Sequence, residues 1–102
     1  MTEYYLECLD LNGVVHSNLG KSYFALDWNI DAIKHFWNSL RYKKHNVRTY
    51  LALARVYEKL SNYSKAIDIL NEGIKVFKKS GNNSFVSMLE ETISKYKDHI
   101  PA

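Results

Sequence analysis

Slid against itself by 34 residues, the chain places Leu19 on Leu53, Tyr23 on Tyr57, Leu26 on Leu60, Ala32 on Ala66 and Ile33 on Ile67. Near-equivalents fill the intervals: Gly20 falls on Ala54, Lys21 on Arg55, Phe36 on Leu70, Ser39 on Gly73 and Leu40 on Ile74. The agreeing positions are apolar or small while the polar ones drift, which marks a repeated packing unit. Such a unit buries its apolar face only against a neighbour, so the period constrains the fold more than composition does. Two units follow, residues 13–46 and 47–80.

Each unit reads as two helices. In the second, Tyr50, Leu53, Ala54, Tyr57 and Leu60 keep the three-and-four spacing of one apolar helix face. Ser61-Asn62-Tyr63-Ser64 interrupts it with turn residues, and Ala66, Ile67, Leu70, Gly73, Ile74 and Phe77 resume it. The first unit repeats this with His16, Leu19, Gly20, Tyr23 and Leu26, then Ala32, Ile33, Phe36, Ser39 and Leu40. Small residues at 20, 54, 32, 66, 39 and 73 let helix backbones approach closely.

A helix–turn–helix unit of 34 residues with Leu-Gly-x-x-Tyr and then Ala nine residues on resembles the tetratricopeptide repeat. Leu19-Gly20, Tyr23, Ala32 and Phe36 carry the pattern in the first unit, and Leu53-Ala54, Tyr57, Ala66 and Leu70 in the second. The sequence departs from it at His16 and Tyr50, where the family usually has its opening aromatic, and at Lys44 and Lys78, where a proline commonly ends a unit. Asn29 also stands where Tyr63 stands in the second unit, with Trp28 and Ile30 beside it. The resemblance implies an all-α fold, a right-handed superhelical stack of antiparallel helix hairpins.

The ends read as capping or truncation. Within residues 81–102, Phe85, Met88, Leu89, Thr92, Ile93 and Tyr96 make a one-sided stripe opposite Glu90, Glu91, Lys95 and Lys97, a capping helix that ends before Pro101. Its phase runs late, which predicts a longer connection through Ser80-Gly81-Asn82-Asn83. Residues 1–12 form an N-terminal helical segment in which Tyr5, Cys8, Leu9 and Leu11 resemble the tail of an upstream unit, with Asn12-Gly13 as its stop.

Chemical motifs are few. The histidines at 16, 35, 45 and 99 form no pair at helical ligand spacing with a Cys or carboxylate, so no metal site is expected, and His16 reads as core packing. Cys8, the single cysteine, has no neighbouring cation to favour its thiolate and points to a reducing, cytoplasmic setting. Gly20-Lys21-Ser22 lacks the earlier glycine of a phosphate loop, since Val15 stands there. No nucleophile elbow is present, and Glu90-Glu91 belongs to a solvated face, so neither an enzyme nor a cofactor is expected. No apolar run reaches the ~18 residues of a membrane span, and no basic start precedes an apolar stretch as in a secretory signal.

Charge distribution carries the functional reading. Residues 1–12 hold a net −3, the two units +3 and +4, and residues 81–102 −1, within an overall +3. Arg48, Ala52, Arg55 and Lys59 share one helix face, away from Tyr50, Leu53 and Tyr57. In tetratricopeptide arrays the first helices line a concave groove that takes extended peptides, so the resemblance implies that this stripe faces the groove. It also implies that Asn18 and Arg48 stand where residues of a carboxylate clamp stand. The second cation of that clamp is Ala52 here, so a complete clamp is not expected. The expectation is a non-catalytic protein–protein interaction module, an adaptor or scaffold binding an acidic or carboxylate-bearing peptide through Asn18, Lys21, Arg48, Leu51, Arg55 and Lys59. The alternative is self-assembly into homo-oligomers through stack ends or Trp37, which should point outward beside the buried Phe36. Nucleic acid ranks last, because no groove-facing aromatics interleave with the cations.

Overall fold

The computed structural model describes the backbone from Thr2 to Ile100 and the side chains from Asn12 to Ile100. Five helices follow in order: α1 Thr2–Ala25, α2 Asn29–Tyr42, α3 Val47–Lys59, α4 Tyr63–Lys79 and α5 Asn83–Lys97. Each packs on the next, and α3 also touches α1, giving a slab of 53 × 35 × 14 Å. Among the described residues there is no strand. This is an all-α stack of antiparallel helix hairpins, as the resemblance implies.

The helix ends explain the tight turns. At the close of α1, α3 and α4 the chain enters the left-handed region at Asp27 (φ 65°), Ser61 (φ 59°) and Gly81 (φ 75°). In each case the next residue donates its N–H back across the last turn: Trp28 to the Tyr23 carbonyl at 2.8 Å, Asn62 to Tyr57 at 2.8 Å and Asn82 to Phe77 at 2.9 Å. Carbonyls that a helix end leaves without partners are thereby satisfied. Asn62 and Asn82 then cap the following helix, their Oδ1 atoms accepting from the N–H groups of Lys65 and Phe85 at 3.2 Å. One asparagine thus closes one helix and opens the next.

Small residues set the hairpin contacts. A Cβ on Gly20 would stand 2.7 Å from the Phe36 ring, so glycine admits that ring, which is fully buried. Gly20→Ala gains helix propensity of about 1 kcal/mol, yet the clash is expected to outweigh it and leave the protein about 1–2 kcal/mol less stable. Urea unfolding checks this, and an unchanged midpoint would contradict the close approach. Gly73 plays the same part against Leu89 and Tyr50.

Several expectations are corrected. Helix α1 does not stop at Asn12-Gly13. Gly13 is buried within it, where its missing Cβ makes room for the Lys43 Cβ, and its carbonyl accepts from Ser39 Oγ at 2.8 Å. The glycine serves a helix crossing there. Leu26 and Leu60 lie just beyond the ends of α1 and α3 and are exposed, outside the apolar faces that their spacing predicts for them. Leu19 is 37% exposed although its counterpart Leu53 is fully buried, because α3 is sandwiched between α2 and α4 while α1 rests chiefly on α2. The connection before α5 is short. The extra residues lengthen α4 to 17, against 14 in α2, so the Asn82 cap falls 36 residues after the Asn46 cap. That offset turns Val86 inward and leaves Met88 exposed. The side chains of Tyr5, Cys8, Leu9 and Leu11, and Pro101, lie outside the described residues.

Candidate functional site

Helix α3 buries Tyr50, Leu53, Ala54 and Val56, which turns Arg48 and Arg55 to solvent on its other side. Its first turn is fixed by Asn46, whose Oδ1 accepts from the Arg48 N–H at 3.1 Å. Between α1 and α3 lies a groove of about 310 Å³ lined by Lys21, Phe24, Phe36, Arg48, Leu51, Ala52 and Arg55. Lys21, Arg48 and Arg55 are exposed and make no salt bridge among the described residues. The groove therefore joins an apolar floor to three cations.

Two of the expected residues stand apart from it. Asn18 is exposed but does not line the groove. Lys59 is committed elsewhere: its Nζ lies 2.7 Å from Asp27 Oδ1 and 5.1 Å from the centre of the Phe24 ring. Hydrogen bonding and charge from Lys59 hold the Asp27 carboxyl below its ordinary pKa. This pair ties the turn of the first hairpin to the end of α3.

A wider groove of about 700 Å³ separates α3 from α5, lined by Leu51, Arg55, Glu58, Thr92, Lys95, Tyr96, Asp98 and His99. Leu51 and Arg55 border both grooves and make one face continuous across α1, α3 and α5. Sequence reasoning missed Phe24, Glu58, Thr92 and Lys95. α5 takes the place of a third first helix because it follows two complete hairpins, and the Asn82 cap does not signal it, since Asn62 caps a second helix in the same way. Tyr96 Oη donates to Glu58 Oε2 at 2.9 Å, and His99 stacks on Tyr63 at 4.9 Å.

Burial, reinforced by the Glu58 carboxylate, pushes the Tyr96 phenol well above its usual pKa. The unfolded phenol ionises near pH ~10, so the folded state there holds a proton that the unfolded state loses. This contribution to stability is complete below that pH and disappears as pH rises through the folded-state value. Tyr50, also raised by burial, acts in the same direction. Tyr96→Phe is expected to lessen the alkaline loss of stability, read as urea midpoints at about pH 8 and 11. An identical loss in both proteins would contradict the assignment.

Trp37 is 42% exposed and lies in a separate groove of about 530 Å³ between α2 and α4, with Tyr57, Ile69 and the charged residues Lys65, Asp68, Glu72 and Lys75. It shares no lining residue with the basic groove. No helix among the described residues is long and apolar enough to cross a membrane.

A family model described as tetratricopeptide repeat matches residues 47–80. The fold is similar to the solution NMR structure of a tetratricopeptide repeat domain protein from Salinibacter ruber, with TM-score 0.77 and 23% identity over 88% of this chain and 91% of that one. It is also similar to a crystal structure of a tetratricopeptide repeat domain protein from the same organism, with TM-score 0.68 and 24% identity over 84% of this chain and 96% of that one. No curated protein matches the chain. Tetratricopeptide repeats generally mediate protein–protein interaction. Residues 47–80 thus match the tetratricopeptide repeat, and the chain as a whole has the fold of tetratricopeptide repeat domains.

Proposed function

We propose that the chain is a non-catalytic protein–protein interaction module whose α1–α3 groove takes an acidic or carboxylate-bearing peptide segment. The observation that carries this reading is the set of three exposed cations without ion-pair partners among the described residues, Lys21, Arg48 and Arg55, around the apolar floor of Phe24, Leu51 and Ala52. Guanidinium groups grip carboxylates through paired charge-assisted hydrogen bonds, and the floor accepts an apolar side chain from the same segment. Lys59 is left out of the binding set because Asp27 neutralises it.

A labelled glutamate-rich peptide, followed by fluorescence anisotropy, tests the reading against its glutamine counterpart. The glutamate peptide is expected to bind and to weaken between about 50 and 300 mM salt, as screening shortens the reach of the cations. Equal binding of the glutamine peptide would overturn the charge-based groove.

A further inference from the structure

His16 and His35 meet across the first hairpin, one from α1 and one from α2, with Nδ1 3.0 Å from Nδ1. The ring centroids are 5.3 Å apart and the planes 23° from parallel, so the imidazoles meet edge to edge with the two nitrogens between them. The contact is partly buried, and each ring has a tyrosine near-parallel to it: Tyr42 at 5.7 Å and 1° from His16, Tyr23 at 5.2 Å and 11° from His35. Helix α1 rests chiefly on α2, so the pair lies in the contact that holds α1 in the stack. The same helix carries Lys21 and Phe24 to the basic groove.

Two imidazole nitrogens at this distance share one hydrogen: one ring donates its Nδ1–H and the other accepts with its lone pair. A first added proton can go to the outer Nε2 of the donor, which keeps the hydrogen bond and makes it charge-assisted. A second has only the accepting Nδ1 to take, where it would meet the donated hydrogen head-on and set two like charges side by side. The folded pair thus holds one added proton while the bond lasts, whereas two unfolded imidazoles each take one below about pH 6.5. Because the unfolded state binds more protons in acid, the stability contributed by the bond is complete above that pH and is lost as pH falls below it. Little nearby offsets the second charge. Tyr23 and Tyr42, which face the rings, are phenols and carry no charge in acid. Among the described residues no acid or base of α1, α2 or α3 forms a salt bridge with either ring. Asp31 and Lys34 are the charged residues within a turn of either histidine along its helix, and both are exposed.

We propose that the His16–His35 hydrogen bond is an acid-released latch, which holds α1 against α2 near neutral pH and loosens the first hairpin below about pH 6. Its release frees the helix that carries Lys21 and Phe24, so acid also slackens the groove's grip on a carboxylate-bearing segment. That consequence rests on the peptide-binding reading, whereas the latch itself does not.

The test begins with nuclear magnetic resonance on the full chain, its histidines labelled with heavy nitrogen, and this part needs no variant. A scalar coupling across the hydrogen bond between the Nδ1 atoms of His16 and His35 is expected at neutral pH. Urea unfolding then gives the folding equilibrium constant at about pH 7 and 5, which should fall about ten-fold further on the wild type than on His16→Phe or His35→Phe. The double variant of His45 and His99 to Phe should lose stability as the wild type does. Hydrogen exchange, corrected for its own pH dependence, should show α1 losing protection ahead of α5. His16→Gln and His35→Gln serve where a phenylalanine variant does not fold. Over the same range the glutamate-rich peptide should lose several-fold more affinity on the wild type than on His35→Phe. Equal losses of affinity would overturn the link to the groove, and a peptide that fails to bind at neutral pH would count against the groove alone. Absence of the coupling, or an equal acid loss of stability in the wild type and both variants, would overturn the latch.

Discussion

Phe77→Ala is expected to destabilise the fold by about 3–5 kcal/mol, the largest effect of any single substitution considered. Phe77 is 1% exposed in the last turns of α4. Three rings converge on it edge-on: Tyr50 from α3 at 5.9 Å, Phe85 from α5 at 5.1 Å and His45 from the α2–α3 corner at 6.4 Å. Alanine would open a cavity where the second unit meets the capping helix, and the surrounding helices, tied by short turns, cannot collapse into it freely. The Phe77 carbonyl, which accepts from the Asn82 N–H at 2.9 Å and from Ser80 Oγ at 3.1 Å, remains in the variant, so the loss reports the ring alone. Domains of this size are stable by only about 5–15 kcal/mol, so the urea midpoint should fall steeply. Hydrogen exchange should show α5 losing protection before α1. A change below about 1 kcal/mol would contradict the packing described here.

The repeated interior was legible because its residues answer to a single demand. Phe36, Ala32, Leu53, Ala66 and Leu70 are fully buried, and each falls on the 34-residue period. What escaped depended on circumstances that a helical period does not encode. Gly13 reads as a helix stop until Ser39 of α2 and Lys43 just beyond its end are seen packed on it. Leu19 and Leu53 are the same residue in the same repeat position, yet only Leu53 is covered, because burial depends on which helices lie alongside. The phase of α5 was misjudged because α4 is three residues longer than α2.

The candidate site divides in the same way. Arg48, Leu51 and Arg55 share one helix, and periodicity alone brings them to one side; Lys21 joins them through the repeat. Lys59 fits that periodicity equally well, but its fate was decided by Asp27, held in a left-handed turn 32 positions earlier. Phe24, which forms part of the groove floor, was hidden because it falls between the repeat's marked positions Tyr23 and Leu26.

Charge reversal in the basic groove has the second largest expected effect. Arg48 and Arg55 lie on one side of α3, about two turns apart, close enough to act together on one bound segment. Hydrogen bonds to charged groups contribute roughly 1.5–3 kcal/mol each, and two opposed charges in place of two grips should weaken an acidic partner by at least about a hundred-fold. Both side chains are exposed, so the fold should tolerate the change. Lys43 and Lys44 at the α2–α3 corner line neither groove of this face and supply a control with the same change in net charge.

The deciding measurement is the affinity of the glutamate-rich peptide for three proteins: the wild type, Arg48→Glu with Arg55→Glu, and Lys43→Glu with Lys44→Glu. Circular dichroism should be alike for all three. Binding in the basic groove predicts that the α3 variant loses affinity by about a hundred-fold or more while the corner variant stays within a few-fold of the wild type. Equal losses in both variants, or none in the α3 variant, would contradict it.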